Sequence, residues 1–164
     1  MLRRLALNLF AGWFRMSRWF PAPTLKRIRQ AISQGERSHA GEICFVVEAR
    51  YPFWAVLKGL EPRDRAHQVF ALLRVWDTQD NSGVLVYLQL AERRVELVAD
   101  RGIAARVKQT EWDAVCRAME RAFKAGQFEA GALDAIHAVT AILARHFPPG
   151  AANPNELPDK PAVL

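Results

Sequence analysis

The first 30 residues contain no aspartate or glutamate, the whole chain has only two cysteines, and no apolar run reaches the roughly 20 residues a spanning helix needs. The paucity of cysteine excludes a disulfide-stapled scaffold. Cys44 and Cys116, far apart and each among apolar neighbours, form no CxxC redox motif and no zinc-ligand pattern. They are expected to be buried free thiols. There is no glycine-rich phosphate loop, and Ser82 before Gly83 lacks the G-x-S-x-G elbow of a hydrolase nucleophile. The four histidines have no metal-ligand spacing on one element; His39 is expected in a surface turn, and His67, His137 and His146 on helices.

What is present is a charge asymmetry. The formal net charge of +6 is concentrated in residues 1–30, which hold Arg3, Arg4, Arg15, Arg18, Lys26, Arg27 and Arg29. The remainder is close to neutral. A nucleic-acid surface would carry its cations on the core fold, so nucleic acid is excluded as a partner. With 164 residues and 51% hydrophobic content, one domain can bury a full core.

Residues 1–23 are expected to form a basic amphipathic helix, with Leu2, Leu5, Leu9, Trp13 and Met16 on one stripe, ended by Pro21 and Pro23. Arg15 and Arg18 end its apolar run too early for a span, and no small-residue cleavage site follows. The pattern fits a helix lying on an anionic membrane through Arg3, Arg4, Trp13, Arg15, Arg18 and Trp19. It also fits an amphipathic helix packed on its own domain or on a partner.

Residues 24–147 read as one α/β domain. Thr24 caps a helix to about Gln34, with Leu25, Ile28 and Ile32 on one face. EICFVVEA, residues 42–49, is a strand whose unbroken apolar character calls for cover on both faces. Residues 51–60 fit no single element. Pro62 opens a helix with the stripe Ala66, Val69, Phe70, Leu73 and Trp76. GVLVYLQL, residues 83–90, is a central strand; AERR turns it, and residues 94–100 return antiparallel. Thr110 to Asp113 resembles a capping box for the next helix, Gly126 ends that helix, and residues 128–146 form the last. The tail, 148–164, is expected to be disordered. Strand, helix, strand with helices before and after gives a three-layer α/β/α sandwich with a short mixed sheet.

Asp80-Asn81-Ser82-Gly83-Val84-Leu85-Val86-Tyr87, Arg93-Arg94-Val95-Glu96-Leu97 and Asp100-Arg101-Gly102-Ile103 follow one another in order. With Phe123-Lys124-Ala125-Gly126-Gln127-Phe128 and Gly131, they resemble the TPM domain family (TPM_phosphatase, the photosystem II repair-like domain). The likeness spans about Gly41 to Phe147. It implies an α/β/α sandwich, calcium binding in some members and acid phosphatase activity in plant members. Family members often carry a secretion signal and a membrane anchor. This chain resembles a short bacterial subgroup without the C-terminal anchor, of a kind often encoded beside LemA-type membrane proteins.

Two functional expectations follow. One is an interaction module, cytoplasmic and peripheral at the inner membrane, whose partner is a LemA-type membrane protein or the anionic membrane surface. The other is a Ca²⁺-dependent phosphatase. The loop before a strand and the end of its antiparallel neighbour share one end of a sheet. Asp77, Asp80 and Asp100, with Asn81 as a neutral oxygen ligand, can therefore meet to hold a hard cation. Arg74 and Arg101 would then hold the phosphate.

Overall fold

The computed structural model describes residues 2–10, 13–150 and 154–164, the side chains of residues 9, 10 and 13–15 excepted. Helices α1 (Leu2–Phe10), α2 (Trp13–Trp19) and α3 (Ala22–Gly35) precede β1 (Glu42–Glu48). Then come α4 (Phe53–Leu57), α5 (Pro62–Leu72), β2 (Gly83–Gln89), β3 (Arg94–Ala99), α6 (Arg101–Ala104), α7 (Gln109–Lys124), α8 (Phe128–His146) and β4 (Ala162–Val163). The sheet order is β3-β2-β1-β4. β1 runs parallel to both β2 and β4, and β3 is antiparallel to β2.

Alternation along the strands divides the core in two. Ile43, Phe45, Val47, Val84, Val86 and Leu88 pack with residues of α3, α7 and α8. Cys44, Val46, Leu85 and Tyr87 face the other way, against Val56, Ala66, Val69 and Leu157. Helices thus cover both faces, which is why β1 and β2 carry no polar alternation. Gly83 starts β2 because a Cβ there would lie 1.9 Å from the Val75 carbonyl oxygen.

Several expectations need correction. The head is two helices, and it is no separate unit: Met16 and Phe20 are buried in the main core, with Phe20 edge-on to Phe123 at 6.3 Å. Thr24 lies inside α3, whose first residues are fixed by Pro21 and Pro23, and its hydroxyl bonds Glu129 instead of capping. Thr110 does not cap α7, which starts one residue earlier; Asp113 accepts a hydrogen bond from Gln109. Trp76 is exposed and Val75 takes the buried place, because Arg74 adopts a positive φ and turns the chain. His39 is fully buried, its Nδ1 2.9 Å from the Gly41 carbonyl.

The tail is ordered over residues 154–164. Leu157 is buried, its N–H donates to Glu42, and β4 adds an edge strand beside Val46 and Val47. A two-residue strand among prolines leaves almost no periodic signal.

Candidate functional sites at the two ends of the sheet

The amino end of β1 and β2 gathers part of the expected oxygen site. Asp100 caps α6, its Oδ1 accepting from the Arg101 N–H at 2.7 Å. The loop before β2 folds onto this cap: Gly102 N–H donates to the Asn81 carbonyl, and the Arg101 guanidinium donates to Asn81 Oδ1 at 2.7 Å. Asn81 takes a positive φ, which asparagine tolerates better than most residues. Gly102 permits the approach, since a Cβ there would lie 2.6 Å from the Asp80 carbonyl oxygen and 2.7 Å from that of Asn81. Two buried oxygens, Asp100 Oδ2 and Ser82 Oγ, have no hydrogen-bond partner among the described residues.

The three carboxylates do not gather into one cluster. Among the described residues no group of three or more His, Cys, Asp or Glu side chains is placed to hold a metal ion. Asp77 instead pairs with Arg74 at 2.5 Å on the surface, and the Arg74 guanidinium lies over the Trp76 ring. The Asp80 side chain is exposed, so its contribution beside Gly102 is a backbone carbonyl. Both candidate phosphate-holding arginines therefore already have partners, Asp77 for Arg74 and Asn81 for Arg101.

The opposite end is built around a buried carboxylate that the sequence alone did not single out. Glu48 closes β1 and accepts from both Arg65 nitrogens, Nε and Nη2, at 2.9 Å, and from the Tyr87 hydroxyl. Burial, then the neighbouring Tyr51 and Glu48, pushes the Tyr87 hydroxyl well above the ordinary tyrosine range, so it acts as a donor and not as a base. Asn8 of α1 is buried above this network. It accepts from the Tyr51 N–H and the Gln89 amide, and donates to the Arg4 carbonyl and Glu92. Arg4 adds bonds to Glu92 and Glu61. Helix α1 is thus pinned to its own domain by polar side chains.

That docking redistributes the expected membrane residues. Arg4 faces inward. Trp19 stacks on Phe128 at 4.2 Å beneath Arg93, so it belongs to the domain as well. Arg3 and Arg18 are exposed, and the side chains of Trp13 and Arg15 lie outside the described residues. Exposed apolar side chains lie elsewhere: on α4, packed beside α1, Phe53, Trp54 and Leu57 are 51%, 62% and 43% exposed and Leu2 84%, while Leu72 and Trp76 are exposed at the far end of α5. Lys58 lies over the Trp54 ring, and Arg50 lines the same cavity as Phe53. The signal was the Phe-Trp pair between Pro52 and Gly59, in the segment that fitted no element.

Cys44 is buried and Cys116, expected to be buried, is half-buried; burial raises both thiols to about 12, which leaves them protonated.

The architecture defines a small α/β/α sandwich around a mixed four-stranded sheet. Residues 17–142 match the TPM domain family, TPM_phosphatase, and the chain belongs to that family. It is similar to the BA42 protein of the psychrophilic bacterium Bizionia argentinensis, solved by NMR. The two share 29% identity and a TM-score of 0.77, over 87% of this chain and 94% of that one. No curated protein matches the sequence. Among the described residues no helix is long and apolar enough to cross a membrane.

Proposed function

We propose that this TPM domain is an interaction module that sits on an anionic membrane surface, where a membrane protein of LemA type would be its neighbour. The observation that carries this reading is the exposed Leu2, Phe53, Trp54 and Leu57 on adjoining helices, with Lys58 over the Trp54 ring and Arg50 lining the same cavity as Phe53. Aromatic side chains favour the headgroup region, and each arginine or lysine near an anionic leaflet contributes roughly 1 kcal/mol. In co-sedimentation, the protein is expected to pellet with phosphatidylglycerol vesicles at low salt. It should stay in solution with phosphatidylcholine, and release as ionic strength rises. Equal behaviour with both lipids would remove the electrostatic half of the proposal.

A second reading, a divalent cation such as Ca²⁺ beside Asp100, is favoured by the two orphaned oxygens, Asp100 Oδ2 and Ser82 Oγ. The carbonyls of Asp80 and Asn81 lie beside Gly102, two residues after Asp100, and with added water such hard oxygens would suit Ca²⁺ in part. A bound cation would polarise a phosphoryl oxygen, the chemistry a phosphatase needs. In that role Arg101 and Arg74 would have to exchange Asn81 and Asp77 for phosphate. Ca²⁺ at 100 times its Kd should add about 2.7 kcal/mol, raising Tm by about 5–10 °C. Asp100→Asn, which keeps the cap oxygen, should abolish the rise; an equal rise in the variant would exclude Asp100 as a ligand.

A further inference from the structure

A cavity of about 590 Å³ opens at the carboxyl end of β1. Its position has a topological cause. β1 has parallel neighbours on both sides, β2 reached through α5 and β4 reached after α8, so the strand order reverses at β1. Open α/β sheets bind ligands in the crevice outside the carboxyl ends of strands at such a reversal. The volume lies within the range of small-molecule sites.

The chemistry of the lining is divided. Its floor is a closed polar network: Arg65 is held by Glu48, and Asn8 has all of its hydrogen-bonding groups engaged. Such a floor is rigid and offers no unpaired charge. Leu5, Pro52 and Phe53 form apolar walls. Arg50 is the exception. It is exposed at the cavity and has no hydrogen-bond or ion-pair partner among the described residues. Phe53 belongs both to the cavity wall and to the exposed α4 face, which makes the cavity continuous with the surface proposed to meet lipid.

We propose that this cavity receives the phosphate of an anionic phospholipid headgroup, held by Arg50, with the glycerol and the start of the acyl chains against Phe53 and Leu5. The proposal rests on the membrane reading above and specifies its ligand. An arginine fork matches phosphate geometry, and the apolar walls distinguish a lipid from a free phosphate ion.

The test uses the full chain and calorimetric titration with dihexanoyl phosphatidylglycerol below its micelle concentration. Dihexanoyl phosphatidylcholine and inorganic phosphate are run in parallel. Saturable binding of the glycerol lipid is expected, at least tenfold weaker in Arg50→Glu and weakened less in Arg50→Lys, which keeps the charge but loses the fork; Arg50 is exposed, so these variants should fold. Trp54→Ala should keep monomeric lipid binding while losing vesicle sedimentation. Phosphate binding as tightly as the lipid would overturn the lipid assignment in favour of a free anion. Equal binding of the choline lipid would overturn the anionic-headgroup assignment, and binding indifferent to Arg50→Glu would overturn the role of Arg50. Vesicle sedimentation without monomeric lipid binding would overturn the cavity and leave the surface reading standing.

Discussion

At the scale of single residues, the buried carboxylates divide by what partners them. Glu48 meets an arginine and a tyrosine hydroxyl, whereas Glu36 meets other acids. Glu36 is 8% exposed; its Oε1 accepts from the Ile43 N–H, and Glu42 and Asp159 face it across the ordered tail, with Arg37 on its own turn at the same cleft. Burial first, then the charges of Glu42 and Asp159, raises its pKa from 4.5 to about 8. The folded protein therefore holds a proton between pH 4.5 and 8 that the unfolded chain releases, so this group makes stability fall as pH rises through that window and adds no slope above it. Glu36→Gln keeps an acceptor for Ile43 and removes the charge. It should raise Tm at pH 8.5 and flatten the decline between pH 5 and 8. A variant with the wild-type profile in thermal melts would show that Glu36 is ionised throughout.

At the scale of elements, α2, α3 and the link between them supply Met16, Phe20, Ile28 and Ile32 to the hydrophobic core. Phe20 is 2% exposed among Phe45, Phe123 and Phe128, at centroid distances of 6.3 to 6.5 Å. Truncating a buried phenylalanine costs about 3–5 kcal/mol, so Phe20→Ala should lower the urea midpoint severely. A change below about 1 kcal/mol would mean that the head packs loosely. For the same reason, deleting residues 1–20 would unfold the protein rather than isolate its contribution to membrane binding. The central elements were legible because their signals are local. A seven-residue apolar strand, a proline at a helix start and Gly126 with φ +80° each carry their own physics. What was not legible depends on distant partners. Nothing in the sequence around Asn8 announces that it will satisfy Tyr51 and Gln89, and nothing near residue 157 announces that Glu42 will accept its N–H.

At the scale of the whole molecule, the charge map and the structure pull apart. The sequence concentrates cations in residues 1–30, yet Arg4 is tied to Glu92 and Glu61, and Arg27 to Glu129. Net charge marks a class of partner, but the fold decides which cations are available to it. The resemblance carried by residues 80–87, 93–97, 100–103 and 123–131 pointed to the correct family and sandwich. At the shared sheet end Arg101 bonds both the Asn81 side chain and the Asp100 carboxylate. The Asp77 side chain is not brought there, because an arginine three residues earlier pairs with it.

The membrane account can be separated from its rival, insertion of the basic head, by quenching of tryptophan fluorescence with brominated phosphatidylglycerol vesicles. Wild-type protein and Trp54→Phe would be compared, the latter keeping an aromatic ring at the surface while removing its fluorescence. The account predicts quenching in the wild type that is mostly lost in the variant. Undiminished quenching in Trp54→Phe would place the contact on Trp13 or another indole and contradict the α4 face as the docking surface.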